Sequence, residues 1–111
     1  MALRRLDPSL AADAMAVHRV ELSHTCWLMR TPEGGLQGCA IGALFYAHYD
    51  DLPLDQVDLI DWAVESTGSR SCVQGFDVGF RGFTPLDGPP REYALGLDGG
   101  RCTRVLVDEP H

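Results

Sequence analysis

The chain has 111 residues, 45% of them hydrophobic and 23% charged, with a formal net charge of -7, the balance of a soluble globular protein and not of a disordered one. A chain of this length forms one domain over residues 1–111 and buries roughly two-thirds of its unfolded surface, so its core needs no disulfide or metal. The acidic balance excludes a phosphate-binding surface and with it direct contact with DNA or RNA.

All 9 basic residues are Arg, and without Lys there is no P-loop lysine, no Schiff-base nucleophile and no lysine general base. The absence of Asn removes N-glycosylation sites. No secretory h-region and no apolar run near the roughly 20 residues of a membrane span are present, which reads as a cytoplasmic protein.

In chain order, Asp7-Pro8 pairs a good N-cap with proline at the first helical position and predicts a helix from Pro8 to about Leu22. Leu10, Ala11, Ala14, Met15 and Leu22 fall on one side of it, with His18 among them as a partly buried, hydrogen-bonded histidine and Met15 as core filler. Thr25 to Arg30 reads as a short strand entering the turn Thr31-Pro32-Glu33-Gly34-Gly35, with Leu36 and Gln37 pairing back. Gly38 to His48 is apolar on every side at helical length and is expected to be a buried central helix, its small residues admitting neighbours close to the backbone.

Pro53 breaks the pattern, and Leu54 to Glu65 predicts an amphipathic helix stopped by Ser66-Thr67-Gly68-Ser69. Its wheel sets Val57, Ile60, Ala63 and Val64 on one face and Asp55, Asp58, Asp61 and Glu65 on the other, with Trp62 at the edge of the acids. The segment Cys72 to Phe83 is read as a helix because Phe76, Phe80 and Phe83 recur at i, i+4, i+7, against about 1 kcal/mol of propensity for each glycine. Tyr93 to Val107 is either a short helix through Leu97 or a hairpin turning at Asp98-Gly99-Gly100, and the ending Val105-Leu106-Val107 favours the hairpin. The fold class expected is a compact, mainly helical α+β domain, with three or four helices around the central one and one or two short hairpins.

Three constellations could carry chemistry. Cys26, Cys39, Cys72 and Cys102 are irregularly spaced with no C-x-x-C pair, so buried thiols are expected; the metal alternative is a zinc site built from His24, Cys26 and Cys39. The second is thiol catalysis: Cys39 at a helix N-terminus, where the macrodipole favours thiolate, His24 as base across a hairpin and Gln37 as oxyanion donor.

The third is the acidic helix. Carboxylates at i, i+3 and i+4 destabilise a helix by tenths of a kcal/mol each, and an aromatic interleaved with them suits contact with a cationic partner. Asp51, Asp55, Asp58, Asp61, Trp62 and Glu65 are therefore the expected binding residues of a cofactor-free, non-enzymatic protein. Its partner would be a host protein with a basic surface, including one that otherwise holds nucleic acid.

Gln37-x-Cys39 followed by Ala40-Ile41-Gly42-Ala43-Leu44 resembles the start of papain-like and leader-peptide-cleaving cysteine peptidases. Those families place their histidine and Asp or Asn downstream of the nucleophile, where this chain has only His48 and His111. Trp27, a Gly-rich turn and Gly38-Cys39-Ala40-Ile41-Gly42-Ala43-Leu44 also resemble the G-x-CA-[LI]-GAL core of small proteins of bacteriophages and high-GC bacteria. That resemblance covers about a third of the chain and implies neither an activity nor a catalytic residue; the acidic helix makes the function expected that of an accessory or inhibitor protein of a phage or mobile element.

Overall fold

The computed structural model describes residues 6–23 and 27–109. Five helices and a three-stranded sheet follow in the order α1 (Pro8–Val17), β1 (Val20–Leu22), β2 (Leu28–Arg30), β3 (Leu36–Gly38), α2 (Ala40–Tyr49), α3 (Gln56–Thr67), α4 (Arg70–Arg81) and α5 (Arg91–Asp108). The architecture is the mainly helical α+β domain that the hydrophobic patterning predicts. No described helix is long and apolar enough to cross a membrane.

α1 starts where Asp7-Pro8 says it should, Asp7 Oδ1 accepting from the amides of Ser9 at 2.8 Å and Leu10 at 3.2 Å. It ends earlier than the periodicity suggested. Arg19 takes a left-handed conformation (φ 53°), and Val20–Leu22 then pair in parallel with Leu36–Gly38. Val20 is buried in that sheet, a place where a β-branched side chain loses less freedom than in a helix. β3 is the central strand, with β1 parallel on one edge and β2 antiparallel on the other, so the β2–β3 hairpin is formed as expected.

α2 is the buried centre: Ala40, Ile41, Gly42, Ala43 and Phe45 are all inside, and only its last turn, Ala47 to Tyr49, reaches the surface. Its small residues have a specific use. A Cβ on Gly38 or Gly42 would fall on the carbonyl oxygen of Trp27, and that same oxygen accepts the Cys39 amide at 2.9 Å. Gly38 and Gly42 are thus the seat on which the Trp27 backbone lies.

α3 is capped by its own acids. Asp55 Oδ1 accepts the Asp58 amide at 2.8 Å, and Asp58 Oδ2 accepts the Leu54 amide at 3.2 Å, a reciprocal capping arrangement in which both charges sit at the positive end of the helix dipole. The face turned to the core is Leu59, Ala63 and Thr67; Val57, placed on the apolar face by the wheel, is 65% exposed at the first turn. Leu59, a full turn before Ala63, takes the core position, and helix geometry then directs Val57 outward.

The expected hairpin over Tyr93–Val107 is not formed: residues 91–108 make one 18-residue helix through Gly96, Gly99 and Gly100. The reason lies in α4. The two helices form a hairpin joined by residues 82–90, and their glycines face each other: a Cβ on Gly75 or Gly79 would strike the carbonyls of Tyr93 or Leu97, and one on Gly96 or Gly100 those of Cys72 or Phe76. Backbone lies on backbone along two turns, which the propensity of isolated segments does not register. Thr103 Oγ1, fully buried, donates to the Gly99 carbonyl at 2.7 Å, and Arg104 Nη1 reaches across to the Phe80 carbonyl at 3.1 Å, holding the open end of the pair.

Candidate functional site

The residues expected to bind a partner do not act as one ladder. Asp55 and Asp58 are committed to capping α3, and Asp51 precedes it, its Oδ1 accepting the Leu52 amide at 2.8 Å. Asp61 and Glu65, one turn apart, are the exposed carboxylates of the helix body, and neither of the ion pairs formed among the described residues involves α3.

Trp62 turns toward α2. Its ring meets Phe45 edge-on at 5.4 Å, with His48 at 6.1 Å and Tyr49 at 6.3 Å. It also closes one end of a surface groove of about 440 Å³ whose walls are Leu10, Val17 and His18 from the α1 side and Leu44, Ala47 and His48 from α2, with Asp13 on its rim. Leu10 and Val17, 53% and 73% exposed, leave this groove apolar and open to water. His18 is half-buried as expected and stacks edge-on with Tyr46 at 5.1 Å, but its ring makes no hydrogen bond among the described residues, so ring packing takes the place of the expected hydrogen bond.

At 100° per residue, Asp58, Glu65 and Asp61 lie 40°, 60° and 100° round from Trp62 on the side away from Leu59 and Ala63, so the groove ends in an indole bordered by carboxylates.

Cys39 is the N-cap residue of α2, but its side chain makes no capping bond and is 1% exposed. Burial pushes its thiol up to about 11, against the helix-terminal amides of Gly42 and Ile41, which pull it down. Desolvation therefore outweighs the macrodipole, and burial favours the protonated thiol over the thiolate. Gln37 is half-buried in the central strand, in register between Glu21 and Met29. His24 and Cys26, named for the thiol and zinc alternatives, lie outside the described residues.

The raised thiol has a measurable consequence. The folded protein holds this proton at a pH where the unfolded chain, with the ordinary value of 9.0, releases it. The contribution is fully present below pH 9 and is lost as pH rises through the interval from 9.0 to about 11, a fall on the order of 3 kcal/mol. Denaturant titrations across this interval should show the slope in the native sequence and a flatter profile in Cys39→Ala.

A third cluster was missed by sequence reasoning. Arg81, only 8% exposed at the end of α4, donates from Nε to Asp77 Oδ1 at 2.7 Å, and its guanidinium lies 5.4 Å from the centre of the Trp27 ring. Desolvation raises the Asp77 carboxyl above its usual range, and the charge and hydrogen bond of Arg81 oppose that shift. Asp77 and Trp27 border a pocket of about 560 Å³ between α3, α4 and the 82–90 loop. The signal was present in part: Asp77 and Arg81 are the only charged residues between Cys72 and Phe83, at i, i+4 spacing, in a segment otherwise built of core residues and glycine. Trp27, fifty-odd residues away in the chain, carried no such mark.

Among the described residues no group of three or more His, Cys, Asp or Glu side chains is arranged to hold a metal ion. Comparison with protein-family models, with curated proteins and with solved structures gives no match to this chain.

Proposed function

We propose that this protein is a non-enzymatic binding protein of the accessory or inhibitor type, acting in the cytoplasm, and that it docks on a partner through the groove ending at Trp62. The observation that carries this reading is the groove itself: apolar walls from α1 and α2 meet a half-buried indole whose outer flank is bordered by Asp61 and Glu65 without internal cations. Water gains nothing from the exposed side chains of Leu10 and Val17, and burying them favours association, while the unpaired carboxylates select the sign of the partner. The complementary ligand is an amphipathic helix of a host protein that lays apolar residues into the groove and directs Arg or Lys toward α3. A surface that otherwise holds nucleic acid has that chemistry. Asp55 and Asp58 support the site indirectly, by fixing the first turn of α3.

The test uses Asp61→Arg/Glu65→Arg, which spares the capping acids, and Trp62→Ala beside the native chain. Each is immobilised and used to capture proteins from the native host, and captured proteins are then measured as purified partners. The expected result is a partner bound by the native chain, weakened at least tenfold by either variant and released by added salt. Partners held equally by the charge-reversed chain, or indifferent to salt, would overturn the reading, provided circular dichroism shows the variants folded.

A further inference from the structure

The pocket beside Asp77 is separate from the Trp62 groove and is built differently. Its walls are Trp27, Ile60, Val73, Val78 and Leu86, with Tyr93 at the back. Its volume of about 560 Å³ is that of a small-molecule site. The side of the pocket formed by the 82–90 loop is tied down, because the Leu86 amide donates to Tyr93 Oη at 3.3 Å while Tyr93 itself is buried.

Asp77 brings a carboxylate to this space, which Arg70, Gln74 and Thr84 also line. Asp77 gives Oδ1 to Arg81, and among the described residues Oδ2 accepts no hydrogen bond. Among the described residues no buried side-chain oxygen or nitrogen is left without a partner, so Oδ2 is solvent-accessible, and the space that Asp77 lines is this pocket. An acceptor oxygen, anchored through its twin to a buried guanidinium and set among an indole, a phenol and aliphatic walls, matches a flat apolar molecule with an N–H donor at one end. Desolvation holds the carboxyl above its usual range, a cost to its charged form that a cationic N–H donor beside Oδ2 would offset.

We propose that this pocket is a binding site for a small aromatic amine or amidine, whose N–H group donates to Asp77 Oδ2 while its ring lies against Trp27 and Tyr93. Arg70, on the same face of α4 about two turns before Asp77, also lines the pocket and stands roughly 10 Å along the helix. At that distance it leaves room for a ring between the two charges, and it offers a contact for an anionic or carbonyl group at the far end of a longer ligand.

Benzamidine tests the assignment on the full chain, followed by the two tryptophan indole N–H signals in nuclear magnetic resonance. Trp27 reports on this pocket and Trp62 on the groove. The expected result is a saturable shift of the Trp27 signal with a dissociation constant on the order of 1 mM, as befits a fragment of this size. Asp77→Asn should weaken it at least tenfold, and benzoate should leave the signal in place. Thr84→Trp, at an exposed position on the rim, should block the pocket without touching the Asp77–Arg81 pair, and it carries the test if Asp77→Asn does not fold. The assignment is overturned if Trp27 does not respond, if only Trp62 responds, if benzoate binds as well as benzamidine, or if Thr84→Trp binds as the native chain does.

Discussion

Gly96→Ala is expected to lower stability by about 3 kcal/mol, and by a fall of roughly 10–20 °C in melting temperature, although it adds one methyl group to a helix. The new Cβ would meet the Cys72 carbonyl and the Phe76 amide, which belong to the backbone of α4 and cannot move aside like a side chain. The two helices would have to separate, and the contacts of Gly75, Gly79 and Gly100 would be lost with them. Gly99→Ala is the control. Its Cβ would touch the edge of the Phe76 ring at 3.4 Å and the Leu6 carbonyl oxygen at 3.7 Å, both ordinary contacts, so the intrinsic preference of alanine for helix, about 1 kcal/mol, should leave the protein as stable as before or slightly more so. Thermal melts of the two variants separate backbone packing from helix propensity within one turn of the same helix. Equal effects would remove the glycine seam as the reason that α5 is a helix.

The second large effect concerns Asp77 and Arg81. Asp77→Leu leaves a guanidinium, which cannot give up its charge, inside the protein without its carboxylate, and should cost roughly 3–5 kcal/mol. Arg81→Met leaves a carboxyl that can take up a proton. Its folded value, already above the ordinary 3.8 through desolvation, loses the opposing charge of Arg81 and rises further.

A carboxyl raised in the folded state stabilises below its unfolded value and loses that contribution as pH rises through the folded one. Arg81→Met should therefore regain stability on acidification from neutral pH, as Asp77 protonates, and Asp77→Leu should not. In the double variant both charges are gone, so its loss should be smaller than the two single losses added together. Denaturant unfolding of the four chains at neutral and mildly acidic pH measures both effects; strict additivity would show the pair to be energetically idle.

These two sites also mark where the sequence was legible and where it was not. Local chemistry was readable: Asp7-Pro8 as a helix start, Gly68 after α3 as its stop at φ 74°, and the turn between β2 and β3. Patterns with a single local explanation fared well because the same few residues that carry the signal also form the contact. Asp55 and Asp58 were read as part of a binding face because charge is visible in a sequence and the direction of a backbone amide is not.

α5 was misread for a related reason. Asp98-Gly99-Gly100 followed by Val105-Leu106-Val107 is good hairpin chemistry taken alone, and only the opposing glycines of α4, about twenty residues earlier, reverse the preference. The binding site was half visible. Trp62 and the exposed acids were evident, but the groove they border is made by α1 and α2, and the pocket of Asp77 needs Trp27, which is brought there by the seat of Gly38 and Gly42.

The facing glycines carry one more implication, for the order of events in folding. Three glycines make α5 a poor helix by itself, about 3 kcal/mol worse than the same length of alanine, and Gly75 and Gly79 burden α4 in the same way. Neither segment is expected to persist as a helix before it meets the other. Residues 70–108 should then form and open as one cooperative unit, and amides on both helices should exchange hydrogen with closely similar protection. The Asp77–Arg81 pair and most of the pocket beside it, all but Trp27 and Ile60, belong to that unit, so a ligand seated there would slow the opening of both helices together, including the far end at Thr103 and Arg104 that it never touches.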